Sequence, residues 1–350
     1  MAIDQLTMAS VSIRTVAVRS LFGLTALGIV AAGALAAGEP EEPLWAYGFN
    51  SPPSAQSLPA PPPGPPPDNK IMLHVDGSKL AFTRAQIIDF YGPADWFPDD
   101  HPSMPDIVAR GRKTASPPIM ACGLCHLPNG NGRPENANLT GLTYEYIVQQ
   151  MLDFRKGSRQ SSDKRKTNTA LMNGFARSLT DDEVKAAATY FASIPAKQSS
   201  KVVESNTAPK TMPSGGLFIP IKANGPMTEP LGDRIIEVPM DERQTETLRN
   251  PRVRFVAYVP NGSLARGEIL VRTGNGKVTP CTVCHGADLR GLGPVPRLAG
   301  NSPSYIARQL YDMQSGHRAG LWMPLMAPVV AGLSASDVLA AAAYLGSLRP

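Results

Sequence analysis

A five-residue pattern, Cys-x-x-Cys-His, occurs twice in this chain and constrains it more than any other feature. The two copies are Cys122-Gly-Leu-Cys125-His126 and Cys281-Thr-Val-Cys284-His285, and together they use all four cysteines. Cys-x-x-Cys-His is the attachment signature of c-type haem. The two thiols add across the haem vinyl groups, and the adjacent histidine is the proximal iron ligand. The sequence therefore predicts two covalently bound haems c. Their attachment residues are Cys122, Cys125, Cys281 and Cys284, with His126 and His285 as iron ligands.

The two motifs belong to an internal repeat. Residues 122–159 align with residues 281–318 without a gap, so that Gln150 matches Gln309 and Arg159 matches Arg318. Self-similarity on this scale means that one structural unit is used twice. A pair of zinc ribbons is the alternative, because Cys-x-x-Cys pairs also bind Zn. Haem is favoured, since a histidine directly follows the second cysteine in both copies.

Length and composition bound the remaining choices. A chain of 350 residues is long enough for two or three domains. The motifs leave no cysteine for a structural disulfide, and thioether attachment takes place in an oxidising export compartment, which predicts a periplasmic protein. The formal net charge of +5 suits an acidic partner surface or weak attraction to a membrane. It is too small to indicate nucleic acid as a partner.

The N-terminal residues 1–37 have the pattern of a signal peptide. Arg14 and Arg19 precede an apolar run that begins at Leu21 and contains the cleavage-like sequence Ala34-Leu-Ala36. The alternative is an uncleaved membrane anchor, since a run of about 17 residues is at the short end of what spans a bilayer. An anchor would associate the protein with the inner membrane. Residues 38–70 are predicted to form a Pro-rich disordered tether.

Two haem domains are predicted, at residues 104–195 and 263–350, with corresponding helices in each. The opening helices contain a glycine, which requires close packing by the last helix to be tolerated. The last helices begin with capping boxes. The opening helices are predicted at 104–113, around Gly111, and at 263–273, around Gly267; the middle helices at 144–155 and 303–314; the caps at Thr180 and Ser334.

Two segments lie outside the repeat. Residues 196–262 contain strand-like runs at 217–221, 234–238 and 252–259, which predicts a small β-rich bridging segment that clasps the two domains. Residues 71–103 form an N-terminal extension with one short helix at 82–91, capped by Thr83. Its aromatic residues, among them Trp96, are expected to lie over the first haem domain. His101 could be a surplus iron ligand, but a surface or packing role is expected.

The chain resembles the tandem dihaem class I cytochromes c over residues 104–195 and 263–350. The resemblance rests on both haem motifs, a Leu-x-Gly segment, a Tyr-Ile-x-x-Gln helix followed by Gly-x-Arg, a later methionine, and Leu-Ser/Thr before the last helix. It implies a mainly α fold with two cytochrome c-like haem domains, His/Met iron coordination and a role in electron transfer. It also implies that the ligating histidines donate to the carbonyls of Ala137 and Pro296. The bridging segment and the N-terminal extension depart from that pattern.

The repeat selects two of the 13 methionines as sixth iron ligands. Met172 lies eight residues before Thr180, and Met326 lies eight residues before Ser334. Met323 would correspond to Thr169, does not recur, and is the second choice in the second domain. A thioether ligand favours Fe(II) and raises the reduction potential relative to two histidines.

Two further predictions concern cationic side chains. Arg159 and Arg318 recur in the repeat and are candidate donors to the haem propionates. Residues 155–166 contain a cluster of basic side chains, which is either a docking patch for a redox partner or a solvated loop.

The leading functional hypothesis is an electron carrier and not an enzyme. The sequence contains no nucleophile–base pair and no second metal motif. Single electrons would pass between redox protein partners, namely a dehydrogenase, an oxidase or a membrane complex, while iron cycles between Fe(III) and Fe(II). The alternative is a dihaem peroxidase-type enzyme or a haem-based sensor. Either would need one open distal site, and two methionine ligands argue against that.

Overall fold

A computed structural model of the chain describes residues 42–48, 70–222, 225 and 227–350. The predicted signal peptide or anchor at residues 1–37 lies outside the described residues. The α-helices are α1 (Arg84–Ile87), α2 (Asp106–Ala109), α3 (Cys122–His126), α4 (Tyr144–Arg155), α5 (Thr167–Ser178), α6 (Asp181–Ala192), α7 (Ser263–Thr273), α8 (Cys281–His285), α9 (Pro303–Gln314), α10 (Met323–Ala331) and α11 (Ala335–Ser347). The strands are β1 (Leu73–His74), β2 (Ala81–Phe82), β3 (Ser200–Glu204), β4 (Thr207–Pro209), β5 (Thr211–Ser214), β6 (Leu217–Pro220), β7 (Thr228–Pro230), β8 (Ile236–Pro239) and β9 (Phe255–Val259).

The two repeats fold into corresponding sets of helices, α2–α6 and α7–α11. The middle helices α4 and α9 have the bounds that the sequence predicts. Capping boxes open the last helices: Thr180 pairs with Glu183 before α6, and Ser334 pairs with Asp337 before α11. In each box the hydroxyl accepts the backbone N–H three residues on, while the carboxylate accepts the N–H of the cap residue. These predictions are confirmed.

The opening helices differ between the repeats. In the second repeat Gly267 lies inside α7, where an added Cβ would come within 2.1 Å of the Ala340 carbonyl oxygen. Helix α11 therefore crosses α7 at the glycine, as predicted. In the first repeat the predicted helix at 104–113 is wrong, because α2 ends at Ala109. Gly111 follows with φ +65° and turns the chain, so that the backbone of Arg112 pairs with Ile119.

The bridging segment is β-rich, as predicted. Strands β3, β9 and β8 form one sheet, in which β9 is central, parallel to β3 and antiparallel to β8. Strands β5 and β6 pair with each other, as do β4 and β7. The predicted runs at 217–221 and 252–259 contain β6 and β9, and the run at 234–238 overlaps β8.

The bridging sheet packs on the second repeat. Ala257 and Val259 of β9 share a buried core with α7, α9 and α11. Glu237 of β8 is buried at the N-terminus of α9, where it accepts hydrogen bonds from Ser302 Oγ at 2.6 Å and from Ser304 N at 3.2 Å. A carboxylate at this end of a helix satisfies free N–H groups and complements the helix dipole.

The predicted disordered tether is wrong for residues 42–48. A short 3₁₀ helix spans Leu44–Ala46, and Ala46 and Tyr47 are buried in the core of the second repeat. Arg308 donates to the Ala46 carbonyl, and the Tyr47 hydroxyl lies 2.6 Å from Ser162 Oγ. An aromatic side chain that buries its ring and satisfies its hydroxyl is a strong local anchor. The Pro-rich stretch at 49–69 lies outside the described residues.

The N-terminal extension packs mainly on the bridging segment. Thr83 caps α1 as predicted, although the helix is only four residues long. Trp96 and Phe97 share a buried cluster with Leu248, and Trp96 Nε1 donates to the Leu248 carbonyl at 2.6 Å. The expectation that the aromatics lie over the first haem domain is therefore wrong for Trp96 and Phe97, whereas the Tyr91 ring does contact that domain, 5.7 Å from Lys113 Nζ. His101 packs against the Tyr190 ring, with Nε2 3.2 Å from Asp95, as its expected packing role requires.

Among the described helices, none is both long enough and apolar enough to cross a membrane alone. Helices α10 and α11 meet that criterion only as a pair, with a bend of 117° between them.

Candidate haem sites

Each Cys-x-x-Cys-His motif forms its own short helix, α3 in the first repeat and α8 in the second. One turn of helix brings the side chains of both cysteines and the histidine close together in space. Burial raises the pKa of Cys122 to about 12 and that of Cys281 to about 11. The folded chain therefore favours the uncharged form of these sulfur atoms, and a thioether is likewise uncharged.

The two motif histidines are oriented by backbone carbonyls. His126 Nδ1 donates to the Ala137 carbonyl at 2.9 Å, and His285 Nδ1 donates to the Pro296 carbonyl at 2.7 Å. A carbonyl can only accept, so Nδ1 carries the proton and Nε2 keeps a lone pair for iron. Burial also lowers the pKa of both histidines, which keeps the rings neutral. The predicted carbonyl partners of both histidines are confirmed.

The loop after each histidine has the same backbone path in both repeats. Gly132 N donates to His126 O at 2.8 Å, and Gly291 N donates to His285 O at 2.9 Å. An equal local fold means that both sites are built for the same group.

The candidate sixth ligands lie on the helices that precede the capping boxes. Met172 is half-buried on α5, whereas Met326 and Met323 are both half-buried on α10. Leu171 and Leu325 directly precede the two favoured methionines, and their exposed fractions are 44% and 73%. A porphyrin face would remove such apolar side chains from water. The assignment of Met172 and Met326 as iron ligands stays a prediction.

The residues present fit haem c in each repeat. Two thiols can form the thioethers, and a neutral imidazole offers Nε2 to the iron. In each repeat, a further helix carries a candidate methionine ligand next to an exposed leucine. The group that these residues would hold supplies one-electron Fe(III)/Fe(II) chemistry. The chain's part is to fix the ligand ring and to limit access to it.

Arg159 and Arg318 connect the two repeats, a role that the sequence did not reveal. Each guanidinium donates to the glutamine of its own repeat and to the glutamine and tyrosine of the other. The partners of Arg159 are Gln150 (2.8 Å), Gln309 (2.8 Å) and Tyr305 (3.0 Å), and those of Arg318 are Gln309 (3.0 Å), Gln150 (3.0 Å) and Tyr146 (2.9 Å). The only sequence signal for this contact was the recurrence of identical residues at aligned positions. A two-fold arrangement places each such residue twice in the contact, once from each repeat. Their predicted contact with propionates stays a prediction.

Backbone contacts continue this two-fold arrangement. Gln160 N donates to the His317 carbonyl, and Ala319 N donates to the Ser158 carbonyl, both at 2.7 Å. The two repeats therefore touch directly, and the bridging segment does not hold them apart.

The basic cluster at 155–166 is mostly neutralised within the chain. Arg155 pairs with Asp181 at 2.7 Å, and Arg165 pairs with Asp163 at 2.6 Å. Lys166 Nζ donates to the Glu135 carbonyl. Lys156 and Lys164 remain as exposed lysines. The structure thus favours a solvated loop here over a docking patch.

Comparison with known proteins agrees with this geometry. Residues 108–195 match the cytochrome c family. Cytochrome c-554(548) of Halomonas halodenitrificans is 39% identical over 75 residues, which are 21% of this chain and 90% of that protein. A thiosulfate dehydrogenase electron acceptor of Thiomonas intermedia is 26% identical over 238 residues, 67% of this chain and 81% of that protein. Cytochrome c4 of Azotobacter vinelandii is 26% identical over 234 residues, 65% of this chain and 84% of that protein.

Proposed function

The chain belongs to the class I cytochromes c, as a tandem member with two covalently bound haems c, and from that premise we propose its place in electron transfer. The protein carries single electrons in the periplasm between a dehydrogenase or membrane redox complex and a downstream acceptor. Its partners are redox proteins, and their contacts with it are small and transient, as is usual for redox encounters.

The observation that carries this proposal is the fixed orientation of the two histidines. Carbonyl oxygens of Ala137 and Pro296 hold His126 and His285 by Nδ1 in the ring position that presents Nε2. Neither histidine is left free to act as a mobile acid or base. A ligand held in this way moves little when the metal changes oxidation state, which suits electron transfer more than bond-making chemistry.

Two further considerations support the partners and the compartment. The Thiomonas relative is by its name an electron acceptor of a dehydrogenase, which supports a dehydrogenase as the donor to this chain. Thioether attachment belongs to an oxidising export compartment, and residues 1–37 have the pattern of a signal peptide or an anchor. If the N-terminus is uncleaved, it holds the protein at the inner membrane.

The test combines stoichiometry with spectra of the purified holoprotein. Mass spectrometry after acid–acetone extraction should find two haems retained on each chain. Absorption and magnetic circular dichroism spectra should show six-coordinate, low-spin iron in both oxidation states, with no binding of CO at either site. A stable five-coordinate haem that binds CO or turns over peroxide would contradict the carrier proposal and favour a peroxidase-type enzyme or a sensor.

A further inference from the structure

The haem-attachment segment is buried in the first repeat and exposed in the second. Leu124 and Val283 occupy the same position between the two cysteines, and their exposed fractions are 8% and 63%. Arg133 and Leu292 occupy equivalent positions in the following loop, and their exposed fractions are 9% and 63%. The loops share one backbone path, so the difference comes from what packs over them.

Residues 246–252 of the bridging segment, here called the cover segment, lie over the first motif. Arg249 donates to the Leu124 carbonyl inside the motif. The side-chain amides of Asn129 and Asn131 both donate to the Pro251 carbonyl at 3.0 Å. Buried polar contacts of this kind hold two segments together because separating them leaves groups without partners.

The position of the cover segment is fixed in two ways. An ion pair holds one end of it, and the N-terminal extension packs against the rest. Arg133 pairs with Glu246 at that end. Leu248 is fully buried beside Trp96 of the extension. Arg252 makes a two-bond ion pair with Asp100, at 2.8 and 2.6 Å. The cover segment and the N-terminal extension thus together cover the surface beside the first haem-attachment motif. This surface is here called the first attachment edge, and the equivalent surface of the second repeat is called the second attachment edge.

The second attachment edge carries apolar side chains whose charged neighbours are paired. Cys284 is exposed beside Val283, and the bond from Gly291 N to His285 O folds the loop with Leu292 back against the motif. The charged residues nearby in sequence form three pairs: Arg290 with Asp288, Arg272 with Glu268, and Lys277 with Asp337. A partner that fits this surface presents an apolar, weakly charged face, since an apolar centre with polar surroundings is the usual composition of an interface.

We propose that external redox proteins exchange electrons with this chain at the surface formed by Val283, Cys284 and Leu292 of the second repeat, and not at the covered edge of the first. This inference rests on the proposed electron-transfer function. Each exchange moves one electron between the partner's redox centre and an iron of this chain, with no bond made or broken. A haem bonded to Cys284 would be attached at this exposed surface, where a partner can approach. Electrons then pass between the second haem and the first across the direct contact between the repeats.

Hydroxyl-radical footprinting of the holoprotein tests the surface without measuring activity. The probe is a reduced single-haem cytochrome c, added at increasing concentration at moderate salt. Oxidation of Val283 and Leu292 should be high in the free protein and should fall when the probe is added. Oxidation of Leu124 should be low throughout. Equal labelling of Leu124 and Val283 in the free protein would overturn the asymmetry on which the inference depends.

Stopped-flow kinetics with the same probe test the consequence. Leu292→Lys and Val283→Lys should each lower the bimolecular rate constant about tenfold. This corresponds to an increase of about 1.4 kcal/mol in the activation free energy. Ile71→Lys is the matched control, since Ile71 is a similarly exposed apolar residue on the N-terminal extension, and its rate should stay at the wild-type value. Haem content and reduction by dithionite should be unchanged in all three variants.

The remaining outcomes separate this inference from the proposed function. Unchanged rates in both second-repeat variants would refute the inference while leaving an electron carrier. Failure of the wild-type protein to exchange electrons with any redox protein, despite reduction by dithionite, would refute the function itself. If sedimentation shows a wild-type dimer that Leu292→Lys dissociates, the surface is a contact between copies of the chain and the inference is wrong.

Discussion

Arg159 and Arg318 occupy equivalent positions in the two repeats, and each donates hydrogen bonds to both Gln150 and Gln309. The backbones of the two arginines pair with each other in antiparallel fashion. Each carboxamide oxygen therefore accepts from two guanidiniums, one from each repeat. This reciprocal contact relates the two repeats by a local two-fold symmetry. Side chains of the repeats themselves therefore fix how one repeat is placed against the other.

Loss of one of these arginines should uncouple the repeats. Arg159→Met removes three hydrogen bonds, which takes the guanidinium donor from Tyr305 and leaves Gln150 and Gln309 with the bond from Arg318 alone, and this should cost about 2–3 kcal/mol. Denaturant unfolding of the holoprotein, followed by circular dichroism, should shift to a lower midpoint and broaden towards two transitions. Arg110→Met is the control, because Arg110 is 72% exposed in a surface pair with Asp106, and its midpoint should hardly move. An equal response to both substitutions would show that the contact does not couple the repeats.

The two methionines of α10 should differ in their effect on the second haem. If Met326 is the sixth ligand, Met326→Ala opens the distal face, and the haem becomes partly high-spin, binds CO or azide, and falls in reduction potential. Met323→Ala should keep a low-spin spectrum and the far-red charge-transfer band of methionine ligation. Spectropotentiometry of both variants measures all of these properties. The reverse pattern would show that the repeat alignment selects the wrong methionine.

Two glycines inside helices should respond oppositely to alanine. Gly267→Ala places a Cβ 2.1 Å from the Ala340 carbonyl and 2.6 Å from Tyr344 Cβ. Helices α7 and α11 must then separate, at a cost of about 1–3 kcal/mol. Gly174 of α5 has nothing within 4 Å of an added Cβ, so Gly174→Ala should stabilise the protein by about 0.5–1 kcal/mol. Thermal melts of the two holoproteins should shift in opposite directions, and a loss of stability in both would contradict the open space at Gly174.

The pair between Asp100 and Arg252 should give a stability contribution that acid removes. Hydrogen bonding from Arg252 lowers the pKa of Asp100 below its ordinary value. The contribution is therefore present above the unfolded pKa of about 3.9, and it is lost as pH falls through the lower folded pKa. Because the pair is partly exposed, its contribution should be at most about 1 kcal/mol. Unfolding measured from pH 7 to pH 3 should show Asp100→Asn destabilised at pH 7, with its difference from wild type shrinking once the pH falls below about 3.9. Asp106→Asn, at an 84% exposed carboxylate, should match wild type at both pH values.

Local signals in the sequence were enough for the two haem-attachment motifs and for most of the helical framework. The two motifs specify the attachment chemistry, because a c-type haem needs two thiols and an imidazole in one turn. Helices α4 and α9 have their predicted bounds, since their N-caps and apolar spacing are encoded within a dozen residues. The carbonyl partners of His126 and His285 were implied by the resemblance to the tandem dihaem cytochromes c, and the structure has them. The predicted helix at 104–113 failed because Gly111, with φ +65°, turns the chain and Arg112 then pairs with Ile119 through its backbone.

The tertiary structure alone decided which attachment edge is closed and how the repeats meet. The cover segment is held by Arg249 on the Leu124 carbonyl and by Asn129 on the Pro251 carbonyl. Every residue carries a backbone carbonyl, so no side-chain pattern marks these two as partners of residues more than 120 positions away. The same reason applies to Tyr47, whose ring is buried in the core of the second repeat and whose hydroxyl contacts Ser162, more than 100 positions away. By itself, the sequence determined two haems c and the motifs that attach them, since that chemistry is local. Access to each haem depends on long-range packing, and only the folded chain shows it.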